Sequence, residues 1–411
     1  MSTLPNLHRP ADPPVCGGVP VAMFAYFFPP DNYTGAARPH RFAQYLPQFG
    51  CPVRVIAAGA APRVESGYVH RVTGEMDECR HRDLAGFAER VARKFFMPHD
   101  EGFTWTPRAV GRAMELHRES PFGAIFSTSP PYTTHYAAMW LKRKLGVRWI
   151  ADFRDPLAGN PFRRSPADAR WDACLERRIF RHADIVVANT EAVAAMWRKT
   201  YPEWAGKVRT IWNGFDPADG IGPMPAPPRP HKVIAHAGSI YGDRHPGLLF
   251  AAFRRLIERN LLNPREWRIR SMGFVDENSS MDRETAGFLQ ERGCLEWLPS
   301  GSKSQAVAEV ATADFLLLLD APTGLQVPAK TFDYIRIGRP ILATTPPHSE
   351  TASILRRCGI PHLMIHDGAD PDAELLEFLR LPNEPVSPSG WFIENFSAEA
   401  QTRTLAGLLA G

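Results

Sequence analysis

Lys330, Asp333 and Tyr334 fall within one string, VPAKTFDYIRIGRPILATTPP, which runs from Val327 to Pro347. Its polar part, Ala329 to Arg336, stops at Gly338, and Pro340 opens an apolar run from Ile341 to Ala343. That pattern predicts a helix, a glycine stop and a buried strand. A lysine and a carboxylate three residues apart share one helix face. At the start of a helix, backbone N–H groups and a lysine suit a phosphate, and a carboxylate suits a sugar hydroxyl.

Other clusters offer complementary chemistry. HAGSIYGDR holds Gly238, Ser239, Gly242 and Arg244. Its glycines permit a tight turn, and its guanidinium can neutralise phosphate through paired hydrogen bonds. Gly35 follows the first apolar run and precedes a helical one, so its backbone can approach a diphosphate or an acceptor oxygen. ADFRDPL ends another apolar run with Asp152, Arg154 and Asp155. Three charges there need partners. Either an Asp–Arg ion pair shapes the loop, or a carboxylate hydrogen-bonds a sugar or orients an acceptor hydroxyl. STSPPYTTH carries Ser127, Ser129 and His135, but no GxSxG surrounds them. A hydrolase elbow is therefore not indicated, and His135 reads more simply as a capping or packing residue. The stretch from Arg93 to Pro107 sets Phe95, Phe96, Met97 and Trp105 among basic residues. It suits a lipid or membrane contact and equally a packed surface loop. His362 and His366 have no third ligand in view, so no metal site is assigned.

These residues need a scaffold. The run Val19 to Phe28, a glycine turn, a helix over Arg38 to Phe49 and a strand over Pro52 to Ala57 make a βαβ unit, and hence a parallel sheet. The pattern recurs through GAIFSTSPP, a helix over Thr133 to Leu145, RWIADFRD, a helix over Asp168 to Arg181, ADIVVANT, a helix over Glu191 to Thr200 and KVRTIWNGFD. Residues 217–230 hold a dense run of prolines with no periodic signal and read as a linker. The alternation then restarts with KVIAHAGSIYG, and the last helix is expected over Ser397 to Leu409. The division is therefore 1–216, a linker at 217–230, 231–385, and a C-terminal segment at 386–411. Paired α/β halves of this kind bind ligand in the cleft between them.

Composition narrows the function classes. The chain has 411 residues, 44% hydrophobic and 22% charged, ordinary values for a soluble globular protein. A net charge of +4 is too weak for a dedicated nucleic-acid binder but suits anionic substrates. Six cysteines without CxxC spacing suggest neither zinc nor a redox motif and read as reduced thiols of a cytosolic protein. The N-terminal stretch lacks the apolar core of a signal peptide, and no run approaches the roughly 20 apolar residues of a membrane span.

Five segments, taken in order, carry a resemblance: YFFPPDNYTGAARPHRFAQYLPQFGCPVRVI, IFSTSPPYTTHYAAMWLKRKLGVRWIADFRDPL, ADIVVANTEAVAAMWRKTYP with KVRTIWNGFD, IAHAGSIYGDRHPGLLFAAF, and LLLLDAPTGLQVPAKTFDYIRIGRPILA. Over nearly its whole length the chain resembles glycosyltransferases of the GT-B architecture. It is most similar to the retaining family-four type of bacterial polysaccharide and lipid-linked glycan synthesis. The resemblance implies an α/β fold of two Rossmann-like doubly wound domains facing each other across a cleft, with the C-terminal helix crossing back to the first. It implies a nucleoside diphosphate sugar, UDP- or GDP-type, held by the second domain, and a glycan or lipid-linked acceptor on the first.

By matching positions, Arg244 and Lys330 clamp the diphosphate and act as catalytic cations. Gly35, Gly238, Ser239, Gly242, Val327 and Asp333 line the donor. Asp152 or Asp155 supplies a catalytic carboxylate, and Arg154, His135 and Trp105 lie on the acceptor side. Two departures stand out. Asp333 replaces the usual second glutamate of an E-x7-E pair, and Leu325 stands where the first would be, which leaves a backbone N–H near Leu325 to Val327 to take over part of its role. Leu157 replaces the tryptophan that usually follows DFRDP. The implied enzyme is a cytoplasmic, hexosyltransferase-like protein needing no metal or cofactor, with a peripheral membrane contact expected and no nucleic-acid partner. Its rivals are a nucleotide-sugar 2-epimerase or hydrolase of the same fold, and a degenerate sugar-binding scaffold. The retained Arg244, Lys330 and Asp333 argue against a scaffold.

Overall fold

Five consecutive buried residues, Val21–Ala25, form the first strand, β1, with no polar position among them. A strand apolar on both faces belongs inside a sheet covered by helices on each side, which is the environment of parallel sheets. A computed structural model describes residues 17–31, 34–59, 63–65, 67–74, 102, 104–159, 166–277, 279–366 and 368–411. The chain divides into two units. One comprises Met1–Asn189, Ala194–Trp212 and Ala398–Gly411; the other comprises Thr190–Val193 and Asn213–Ser397.

In the first unit β1 leads through a 3-10 turn, Thr34–Ala36, into α1 (Ala37–Tyr45). Then follow β2 (Val53–Ala58), β3 (Arg63–Glu65), β4 (Val69–Val72), α2 (Trp105–Glu119), β5 (Ala124–Ser129), α3 (Thr133–Leu145), β6 (Arg148–Phe153), α4 (Pro166–His182), β7 (Ile185–Ala188), α5 (Glu191–Thr200) and β8 (Val208–Thr210). The strand order is β3-β4-β2-β1-β5-β6-β7-β8. Among the described strands of this sheet, β3 alone runs antiparallel, against β4. The chain thus builds outward from β1 on one side, then returns to place β5 on the other, with Val21 opposite both Val53 and Ala124.

The second unit repeats the scheme. Its elements are β9 (Lys232–Ala237), α6 (Gly247–Glu258), β10 (Trp267–Met272), α7 (Arg283–Glu291), β11 (Leu295–Leu298), α8 (Lys303–Ala311), β12 (Phe315–Leu319), α9 (Lys330–Ile337), β13 (Ile341–Thr344), α10 (Glu350–Arg357), β14 (His362–Ile365), α11 (Pro371–Phe378) and α12 (Gly390–Phe396). The order β11-β10-β9-β12-β13-β14 again reverses direction, here between β9 and β12. All its pairings are parallel. The final helix, α13 (Ala398–Ala410), belongs to the first unit, where Leu405, Ala406 and Leu409 join a core containing Phe42 and Phe49. The C-terminal helix therefore returns to the first unit, as expected.

Several boundaries differ from the sequence reading for local reasons. The helix expected over Arg38 to Phe49 is α1 followed by a 3-10 turn, Leu46–Phe49, because Pro47 removes an N–H and Gly50 takes a left-handed conformation at φ +78. The proline-rich 217–230 stretch docks on the second unit, since Met224 N donates to Ala311 O and Arg339 Nη2 donates to Met224 O. Elements absent from the sequence reading are β3 and β4, α2, α7, α11 and α12. The thiol expectation needs correction: Cys51 is disulfide-bonded, while Cys174, Cys294 and Cys358 are free. Cys16, Cys79, Phe95, Phe96 and Met97 lie outside the described residues. No helix among the described residues is long and apolar enough to cross a membrane.

Candidate active site

In parallel sheets, ligands bind beyond the carboxyl ends of the strands where strand order reverses. In the second unit that point lies between β9 and β12, which pair through Phe315 with Ile234 and Leu316 with Ala235. Three elements converge there. From β9 and the loop after it come His236, Gly238 and Arg244. From the end of β12 come two backbone carbonyls. From the first turn of α9 come Lys330 and, one turn later, Tyr334.

Hydrogen bonds fix their positions. Arg244 Nε donates to Leu319 O at 2.9 Å, and its Nη1 lies 3.2 Å from the Tyr241 hydroxyl, over whose ring the guanidinium also sits. His236 Nδ1 lies 2.9 Å from Leu317 O, and its Nε2 lies 3.4 Å from Lys330 Nζ. Ala237 N donates to the Tyr334 hydroxyl at 2.9 Å. The lysine and the tyrosine of the KxxxY spacing thus grip consecutive residues of β9 from adjacent turns of α9. Gly238, at φ +141, is required twice: its backbone is one that side chains rarely adopt, and a Cβ would overlap Lys330 Nζ.

The electrostatics are those of an anion site. Lys330 and Arg244 are both half-buried. Among the described residues no carboxylate ion-pairs with either; their polar partners are backbone, tyrosine and histidine. Burial, and then the neighbouring Arg244 charge, push the Lys330 ammonium down to about 7. Burial, and then the Lys330 charge, hold the His236 imidazole well below its usual value and therefore neutral. Lys330 also opens a helix whose first N–H groups lack a side-chain cap. Two cations with no ion-paired carboxylate among the described residues, at the positive end of a helix, suit a diphosphate.

The other donor-side candidates fall around this centre. Ser239 is exposed, and Gly242 takes φ +53. The carbonyl of Gly242 accepts bonds from the Ser279 and Ser280 hydroxyls, so the loop after β10 ties down the glycine loop. Asp333 is half-buried in the first turn of α9, and the Val327 side chain is buried. A recess lined by Pro227, Arg229, Lys232, Trp267 and Asp314 lies at the amino ends of β9, β10 and β12, the opposite edge from the cations.

In the first unit the reversal falls between β1 and β5. There Gly35 meets Arg154: a Cβ on Gly35 would overlap the guanidinium. Arg154 Nε donates to Ser129 O at 2.8 Å, and its Nη2 donates to Pro130 O. The loops after β1, β5 and β6 are thereby joined at one sheet edge. Asp155 is half-buried on the same loop, and its carbonyl accepts from the Tyr132 hydroxyl at 3.3 Å.

Three residues proposed from the sequence are placed elsewhere. Asp152 is fully buried and accepts from Arg38 Nη2 at 2.7 Å, from Arg38 Nε at 3.0 Å and from Thr128 Oγ1 at 2.7 Å. Arg38 also donates to the carbonyls of Ile211 and Trp212. Asp152 therefore anchors α1 against β6 and the chain after β8, and the catalytic expectation for it is corrected. His135 is also fully buried, with Nδ1 2.8 Å from Ser127 Oγ, and desolvation lowers its imidazole to about 3. Because it packs in the core, it meets no acceptor. Trp105 starts α2 with no exposed surface, its ring edge-on to Phe24 and Tyr26. An indole in that setting is core, not an acceptor contact.

Sequence reasoning named Tyr334 without giving it a role, and missed His236 and Glu176. His236 and Tyr334 had a signal in the two-residue spacing before Gly238 and the four-residue spacing after Lys330. Glu176 had none. It lies in the middle of α4, almost wholly buried, and its carboxylate accepts from Leu157 N at 2.8 Å, Ala158 N at 3.0 Å and the Tyr201 hydroxyl at 3.0 Å. It thus shapes the loop that carries Asp155.

Comparisons with known proteins agree with this architecture. The model for Glycosyltransferase Family 4 matches residues 37–219. Among solved structures, sucrose-phosphate synthase from Thermosynechococcus elongatus aligns at TM-score 0.57 and 12% identity, covering 96% of this chain and 95% of that one. A glycosyltransferase from Rickettsia africae aligns at TM-score 0.56 and 12% identity, covering 95% and 97%. The E. coli trehalose-6-phosphate protein bound with UDP-2-fluoro glucose aligns at TM-score 0.58 and 12% identity, covering 94% and 95%. No curated protein matches in sequence. The chain has the GT-B fold of these glycosyltransferase structures, and its residues 37–219 match the family-four model.

Proposed function

We propose that the protein is a glycosyltransferase that moves a sugar, with retention, from a nucleoside diphosphate sugar to a glycan or lipid-linked acceptor. The observation that carries this is the convergence of Lys330, Arg244, Gly238 and the start of α9 at the strand-order reversal of the second sheet. The bond between sugar C1 and the diphosphate oxygen breaks with its electron pair leaving on the diphosphate. Lys330 and Arg244 meet that developing charge, and their stabilisation is greatest in the transition state. The acceptor oxygen bonds to C1 and its proton passes to the departing phosphate oxygen. With two cations at the diphosphate, the site needs no divalent ion. On the first unit, Arg154 with Asp155 forms the acceptor side. Bacterial surface polysaccharide synthesis, on the cytoplasmic face of a membrane, is the setting that this chemistry and the family resemblance favour.

The test is turnover. Purified protein is incubated with UDP-, GDP-, dTDP- and ADP-sugars and a panel of glycan and lipid-linked acceptors. Nucleoside diphosphate release coupled to a glycosylated acceptor, with the anomeric configuration retained by NMR, is the expected result. An isomerised nucleotide sugar formed without acceptor would identify an epimerase instead. No turnover and no nucleotide binding would leave a scaffold.

A further inference from the structure

We propose that His236 is a positioning residue for Lys330: a neutral imidazole whose Nε2 lone pair accepts one Lys330 N–H and so directs the remaining ammonium hydrogens at the diphosphate. The inference deepens the donor-site reading above and rests on it.

The geometry leaves His236 little freedom. It is 1% exposed, on the central strand of the second sheet. Its Nδ1 faces Leu317 O at 2.9 Å. A carbonyl only accepts, and the 2.9 Å bond to Leu317 O places the hydrogen on Nδ1 ahead of the Gly238 backbone that the ring also meets, so in a neutral ring Nε2 holds a lone pair. That lone pair faces Lys330 Nζ, which in its ammonium form only donates. An imidazolium would instead put a third positive charge beside Lys330 and Arg244. Two residues on, Gly238 leaves the space that Lys330 Nζ fills.

The other groups around Lys330 do not take this part. Arg244, from the glycine loop, is a like charge held by Leu319 O. Tyr334, on the same helix, accepts from Ala237 N. Asp320, at the end of β12, accepts from Thr345 Oγ1 and Ala321 N. Asp333, three residues along α9, makes no bond or ion pair to Lys330. Carbonyls of β12, two residues apart and so on one side of the strand, hold both His236 and Arg244. One strand end thereby sets the spacing of the two cations. Linkage follows. An arriving diphosphate favours the charged lysine, so binding above about pH 7 is accompanied by proton uptake at Lys330, and affinity falls as pH rises.

The test is calorimetric titration of UDP, GDP, dTDP and ADP between pH 7 and 9, with wild type, His236→Asn and His236→Gln. An Asn amide can keep the bond to Leu317 O but offers nothing to Lys330. A Gln amide oxygen reaches the Nε2 position. Loss of a hydrogen bond to a charged group weakens binding by roughly tenfold or more. The expected result is that loss in His236→Asn, affinity within about threefold of wild type in His236→Gln, and a wild-type affinity that declines from pH 7 to 9. Equal losses in both variants would mean a merely structural histidine and overturn the inference. Wild-type affinity and pH slope in His236→Asn would also overturn it, while leaving the donor site standing. No binding by wild type would overturn both. Should the variants fail to fold, nitrogen-15 NMR of the wild-type imidazoles decides: a neutral Nδ1–H ring at His236 from pH 5 to 9 supports the inference, and an Nε2–H ring or an imidazolium refutes it.

Discussion

Single residues in this chain separate into those that face an open sheet edge and those that brace it, and burial decides which. Asp152 and Asp155 are three positions apart in one string, yet Asp152 is fully buried against Arg38 while Asp155 is only half-buried. Removing one partner of a buried ion pair leaves the other charge without compensation, at a cost of about 3–5 kcal/mol. Asp152→Ala should therefore lower stability to urea by that order, whatever it does to turnover. A variant as stable as wild type would show that Arg38 does not depend on it. Lys330 is the converse case. Its charge has no carboxylate partner among the described residues, so its removal should cost ligand binding far more than stability.

Elements were read from the sequence where one local rule dominated. The central strands β1 and β12 are continuous apolar runs, and α3 and α5 were placed to the residue, because apolar periodicity and turn residues agreed there. The α2 helix was missed because Trp105 sits among aromatic and basic residues that also suit a surface loop; only tertiary packing against Phe24 and Tyr26 makes it core. The site was legible to the extent that glycines and cations cluster after apolar runs. What was not legible is which carbonyl holds which side chain. The bonds from His236 to Leu317 and from Arg244 to Leu319 join residues 81 and 75 positions apart. The glycine stop of α9 gives a direct check. Gly338 has φ +76, and a Cβ there would run into the Val386 carbonyl. Gly338→Ala should cost about 1–2 kcal/mol for the left-handed backbone alone, and more for the clash, read as a lower midpoint in urea. No change in midpoint would contradict the packing of residue 386 on the end of α9.

At the scale of the molecule, buried titratable groups make stability depend on pH, with a sign that can be worked out. Burial raises the Glu176 carboxyl from 4.5 to about 7. Below 4.5 both folded and unfolded states hold the proton. Between 4.5 and about 7 the folded state keeps a proton that the unfolded state has released, so this contribution is lost as pH rises through that window. The loss is on the order of 3 kcal/mol. His135 and His70 act oppositely: lowered to about 3 and about 4, they withdraw stability as pH falls below 6.5. Comparing wild type with Glu176→Gln isolates the carboxyl. The stability of wild type relative to the variant should decline from pH 5 to pH 8, and an unchanged difference would mean that Glu176 is ionised throughout.

The central claim, that the second unit is built to hold a nucleoside diphosphate, is tested most directly by thermal unfolding of wild type and Lys330→Ala with UDP, GDP, dTDP, ADP and their sugars. A ligand that binds only the folded state raises the melting temperature. The account predicts that one nucleoside diphosphate, alone and as its sugar, raises the wild-type midpoint and leaves Lys330→Ala unmoved. Equal shifts in both proteins, or none in wild type, would contradict it.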